Sequence, residues 1–199
     1  TLGLALALVV LVPAGLMYWV RSPAVTGEGR GARQPVRFDH RLHVTGFRID
    51  CRYCHQSAER EASAGLPPTA TCVPCHSALW LAGPLFAPVR LSLATDRPIP
   101  WRRVNQLPDF VYFNHAIHLR GGVACETCHG RVDRMAEIQQ AAPLTMAWCV
   151  DCHRNPEPQR RPDDAITAMG WHAAPSTVMP APLDPPRRRE LTTCSACHR

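Results

Sequence analysis

All ten cysteines of this 199-residue chain fall in five copies of one pentapeptide, Cys-x-x-Cys-His. The copies run from Cys51 to His55, Cys72 to His76, Cys125 to His129, Cys149 to His153 and Cys194 to His198. This is the spacing of c-type haem attachment: two thiols bond to the porphyrin edge, and the adjacent histidine supplies an axial ligand to iron. The thiols so assigned are Cys51, Cys54, Cys72, Cys75, Cys125, Cys128, Cys149, Cys152, Cys194 and Cys197. A disulfide framework would use ten cysteines but would not require a histidine after each pair. The gap between Cys54 and Cys72 suits a zinc ribbon, but five pairs do not sort into twos, and zinc needs no trailing histidine.

Five haem c groups leave only about 36 residues for each, too few for a separate hydrophobic core around every cofactor. The porphyrins must therefore fill much of the interior. The 20 prolines are about twice the usual share, so the expected fold is haem-cored, with short helices, long loops and little sheet. All 22 basic residues are arginine, and the formal charge is +6. Haem propionates would offset that charge, and arginine's planar fork matches a carboxylate. A GC-rich genome would produce the same bias. Nucleic acid is a poor reading of the basic pI, because haem is attached outside the cytoplasm.

Residues 1–20 carry no charge and, as a helix, would extend roughly 30 Å, the thickness of a bilayer core. Tyr18, Trp19 and Arg21 resemble an interfacial boundary. The expectation is one N-terminal transmembrane helix, a single-pass anchor in the cell membrane with the haem domain on its periplasmic side. The alternative is a cleaved signal peptide, but no small-x-small site closes the run. Residues 21–36 are rich in glycine, proline and arginine and read as a flexible tether.

The remainder contains a repeat. Phe38-Asp39-His40-Arg41-Leu42-His43 precedes Cys51, and Phe113-Asn114-His115-Ala116-Ile117-His118 precedes Cys125. Each copy has a second haem site, at Cys72 and Cys149. The expected organisation is di-haem module 1 over 37–80, an extended bridge over 81–112, di-haem module 2 over 113–155 and a C-terminal segment with the fifth haem over 156–199. Histidines three apart on a helical turn share one face and could reach two haems packed together.

Five irons have ten axial positions, and the chain has ten histidines. His55, His76, His129, His153 and His198 are proximal. His40, His43, His115, His118 and His172 remain as distal ligands. If all serve, every iron is closed to substrate, which favours electron transfer over catalysis and leaves no catalytic residue to name. Met135 and Met146 are candidates for a distal thioether on one haem, which would raise its potential. Either is equally suited to filling a gap in a core.

The Phe-x-His-x-x-His spacing resembles the class III multihaem cytochromes c. The run from Pro100-Trp101 through Leu107-Pro108-Asp109-Phe110-Val111-Tyr112-Phe113-Asn114-His115, with Cys128-His129-Gly130, Leu144-Thr145-Met146 and Trp148-Cys149, is similar to the pentahaem cytochrome c subunit of alternative complex III. That resemblance implies an electron-relay subunit that is not an enzyme by itself. Its implied partners are the membrane, an iron–sulfur subunit, a polytopic quinol-binding subunit, a mono-haem cytochrome c and a soluble acceptor or terminal oxidase. The class III analogy further implies that one histidine of each His-x-x-His serves its own module and the other a neighbour. Three other readings stay open: a stand-alone quinol dehydrogenase of the tetrahaem anchor type, a soluble periplasmic shuttle, and a haem enzyme with one open iron.

Overall fold

The computed structural model describes residues 2–79 and 82–198, and only the backbone of Leu4. The expected boundary between module 1 and the bridge, at residues 80 and 81, lies outside the described residues, as do Thr1 and Arg199.

Proline and the closely spaced motifs keep the helices short. Those longer than a single turn are α1 (Leu2–Val20), α2 (Ala87–Thr95), α3 (His115–Arg120), α4 (Met146–Arg154) and α5 (Pro185–Glu190). The motifs themselves form helical turns at Cys51–Cys54, Val73–His76, Cys125–His129 and Cys194–Cys197, and the fourth motif lies within α4. A helical turn puts the two cysteines of each motif, three residues apart, on one face. Local caps start these turns. The Arg52 amide donates to Asp50 Oδ1 (2.8 Å) and the Trp148 amide to Thr145 Oγ1 (3.3 Å), satisfying amides that a helix start leaves free. Sheet is reduced to two isolated bridges among the described residues, Gly31 with Gln139 and Val123 with Arg160.

The polypeptide alone builds a thin core. Among the described residues nine hydrophobic side chains are buried, five of them alanines (58, 116, 124, 142 and 165), and no large side chain is fully enclosed. An apolar cluster of Ala58, Leu119 and Ile166, with Ala64 and Cys125 against it, joins the two repeats. The segment after α1 lies on residues 138–140: the Gly29 amide donates to Gln140 O (2.7 Å), the Gln140 amide to Arg30 O (3.0 Å), and Gln140 Nε2 to Thr26 O (2.8 Å).

The expected transmembrane helix does not hold. Residues 2–20 are helical, but among the described residues no helix is long and apolar enough to cross a membrane. The single-pass anchor, and the membrane placement built on it, do not hold either. The described side chains of α1 are exposed in the chain by itself.

Candidate haem sites

The two copies of Phe-Asx-His-x-x-His fold alike. In the first, Asp39 Oδ1 accepts from the Leu42 amide (3.1 Å); in the second, Asn114 Oδ1 accepts from the Ile117 amide (3.2 Å). The short polar side chain therefore starts each turn. The phenylalanine then braces both histidines. Phe38 meets His40 edge-on at 4.8 Å and stacks on His43 at 4.2 Å; Phe113 meets His115 at 4.7 Å and stacks on His118 at 4.4 Å. The turns differ in pitch. The first, Leu42–Gly46, is wide, with the Phe47 amide donating to Leu42 O (3.0 Å), whereas the second is the regular helix α3.

These turns carry histidines from distant parts of the chain to the motif histidines. The His115 and His129 ring centres lie 6.4 Å apart with planes only 7° from parallel. His118 and His153 are 6.1 Å apart, and His43 and His76 are 6.2 Å apart. An iron bonded to one nitrogen of each ring at about 2 Å, with each ring centre about 1 Å beyond, needs a separation of roughly 6 Å. His40 has no such ring partner within the described contacts, but after burial itself His55 is the neighbouring side chain that acts on it most.

The nitrogens are oriented for the same use. Nδ1 lies against a carbonyl oxygen in His43 (Asp39, 2.8 Å), His55 (Gly65, 2.8 Å), His115 (Ala62, 2.8 Å), His118 (Asn114, 2.7 Å), His153 (Leu191, 2.8 Å) and His198 (Phe110, 3.1 Å). An Nδ1–H held in this way fixes the tautomer that leaves Nε2 free for a metal. His129 Nδ1 is met instead by the Asn105 side-chain amide at 3.1 Å, while the buried Asn105 Oδ1 has no partner. Turning that amide over offers Oδ1 to Nδ1–H and resolves both. His40 Nδ1 and His76 Nδ1 are buried and also without partners.

Burial sets the titration of these groups. Desolvation pushes His40 and His129 each down to about 4 from an ordinary 6.5, and it lowers His118 as well. A histidine depressed on folding contributes stability that is fully present above about pH 6.5 and lost as the pH falls through about 4. In the folded chain His40 and His129 stay neutral, as ligands must be, down to about pH 5. The low-spin absorption of the sites that hold His40 and His129 is therefore expected to hold steady from pH 7 to about pH 5. A spectral change centred near 6.5 would contradict it. Burial also pushes the thiols of Cys54, Cys72, Cys149 and Cys152 up, and that of Cys128 up to about 11. Such thiols are protonated at neutral pH and unsuited to nucleophilic catalysis.

The residues present fit c-type haem. Each motif places two unpaired thiols and a histidine on one turn, and the ring pairs are spaced for iron. Among the described residues no three His, Cys, Asp or Glu side chains converge as a metal site, so the cysteine pairs do not meet as a zinc ribbon requires. Of the other expected ligands, His172 is exposed in the loop after Gly170 and makes no ring or hydrogen-bond contact among the described residues. Met146 is 71% exposed at the start of α4. Met135 is half-buried near Gly130, and its carbonyl accepts from the Arg41 amide at 3.1 Å.

Residues 111–199 match the family described as cytochrome c7 and related cytochrome c. Over those residues the chain is similar to multihaem cytochromes of that kind. The chain is also homologous to the multihaem cytochrome c subunit of menaquinone reductase from Nitratidesulfovibrio vulgaris, with 37% identity over 97 residues. That match covers 48% of this chain and 45% of the relative, so the chain spans less than half of that protein. The second repeat, with α3, α4 and the last motif, lies in the region matched by the cytochrome c7 family.

Asn105 is a site residue that motif reading passes over, because it stands outside every Cys-x-x-Cys-His. The carbonyls of Ala62, Gly65, Phe110 and Leu191 leave no side-chain signal at all. Neither does the network below the third motif, where Glu126 receives Arg161 (3.1 Å), the Gly170 amide (2.8 Å) and Arg131 (3.6 Å).

Proposed function

We propose that this multihaem cytochrome carries five haem c groups and works as an extracytoplasmic electron-relay subunit of a quinone-linked complex of the alternative complex III kind. When bound, haem supplies reversible one-electron chemistry. The chain's own residues hold and enclose it: the ten motif cysteines tether it, the motif histidines ligate from one side, and His40, His43, His115 and His118 ligate from the other. By count, His172 falls to the fifth site. Met135 and Met146 are the alternatives for one haem.

The observation that carries this reading is the set of three histidine pairs spaced 6.1 to 6.4 Å apart. Two imidazoles on one iron leave no position for a substrate, so these sites suit electron transfer and not bond-making chemistry. The arginines, 22 in the chain, are suited to propionates, since a guanidinium fork donates two parallel hydrogen bonds to a carboxylate.

In the proposed assembly the partners are an iron–sulfur subunit, a polytopic quinol-binding subunit, a mono-haem cytochrome c and a soluble acceptor. A second direction of flow has its own support, because the 37% identical relative belongs to a menaquinone reductase. The chain would then deliver electrons toward the quinone subunit. Midpoint potentials separate the two: haems above the quinone couple favour quinol oxidation, and haems below it favour quinone reduction.

The intact mass of the mature chain is expected to exceed its 22.0 kDa of amino acids by five haems, with a pyridine haemochrome of the same count. All five should titrate reversibly. A mass equal to the polypeptide, or a count below five, would refute the reading.

A further inference from the structure

We infer that the five Cys-x-x-Cys-His sites stand in single file in the order second, first, third, fourth, fifth, with the second and fifth as the two ends. This rests on the reading of each motif as a haem site and adds their order in space.

Four junctions define the file. The second and first sites share the turn under Phe38: His43 faces His76 at 6.2 Å, while His40, three residues earlier, lies beside His55. The first and third are joined by the chain that follows the first motif. The Ala62 carbonyl there accepts from the His115 backbone amide (3.0 Å) and lies 2.8 Å from His115 Nδ1, and His115 faces His129. At the same junction Thr167 Oγ1 donates to Asp50 Oδ2 at 2.8 Å. The thiols of Cys51 and Cys125 lie close enough there to act on each other. The third and fourth sites share α3, whose His115 and His118 serve them in turn. The fourth and fifth meet where His153 Nδ1 lies 2.8 Å from the Leu191 carbonyl, just ahead of the last motif. Cys149 and Cys197 are also close enough to interact electrostatically.

Exposure agrees independently. Of the ten cysteines only Cys75 and Cys194 are exposed, and the other eight are partly buried. Those two belong to the second and fifth sites, the proposed ends. The site written first in the chain is therefore internal. A linear file gives an electron carrier one solvent-facing terminus for each of two partners.

The order is tested on the haem-loaded full chain by proton NMR, from through-space contacts between haem substituents, each assigned through the side chains of its own motif. Contacts are expected for the second–first, first–third, third–fourth and fourth–fifth pairs. Two further variants, His76→Met and His198→Met, keep two axial ligands while marking the ends by a raised potential. Oxidation of the second-site marker should shift the signals of the first site most, and oxidation of the fifth-site marker those of the fourth. If a variant does not mature, the contacts in the unaltered protein decide alone. A direct second–third or second–fifth contact, or no first–third contact, overturns the order while leaving five haems intact. Fewer than five haems overturns the functional reading along with it.

Discussion

Replacing His115 and His118 together by alanine is expected to let the haem-loaded chain bind two carbon monoxide molecules where the unaltered protein binds none. Each of these histidines stands across from a motif histidine, at 6.4 Å from His129 and 6.1 Å from His153. Truncation leaves the proximal ligands in place and opens one face of two irons. An iron with a free position turns high-spin and accepts a small ligand. About two-fifths of the low-spin absorption should be lost, read by optical difference spectra with and without carbon monoxide. The covalent haem count should not change, because the thiols are untouched. Carbon monoxide binding by the unaltered protein, or none by the variant, would break the assignment of these two distal ligands.

Gly130→Ala is the single small substitution expected to do most damage to the fold. Gly130 follows His129 directly and has φ +64° and ψ −160°, a region open essentially to glycine alone. A Cβ there would stand 2.6 Å from the Ala141 Cβ, which is not a flexible end that can swing away. Backbone strain and overpacking together cost about 2–5 kcal/mol, a large part of the 5–15 kcal/mol typical of a folded domain. The loss should appear as a drop in denaturation midpoint, with the third site perturbed first because its histidine is the adjacent residue. Gly170→Ala makes a useful comparison. It also has φ +64°, but its Cβ would meet the Arg131 guanidinium at 2.5 Å, the movable end of a long side chain. The smaller penalty is expected there.

The repeat was plain in the sequence because it is written in local residues. Phe38 and Phe113 brace their histidines, and Asp39 and Asn114 start the turns. Each of these acts within five positions, so spacing alone exposes them. Asn105 was hidden for the opposite reason. It acts on His129 from 24 positions away, and nothing around it marks an amide as different from any other surface asparagine. The N-terminal segment shows the limit of composition. Its lack of charge and its helix were both legible, but among the described residues no helix is long and apolar enough to cross a membrane. His172 was assigned by count alone, and its exposed loop brings it to no motif histidine.

Covalent chemistry with iron porphyrins was settled by order along the chain, because two thiols and an imidazole must share one helical turn and a turn is a local object. Which imidazole looks at which, and which site touches which, belonged to the folded chain. Those relations join residues as far apart as His43 and His76, or Ala62 and His115, and only the packing of loops brings them together. Spacing along a chain carries no record of that closeness, so the second motif could become an end and the first an interior link.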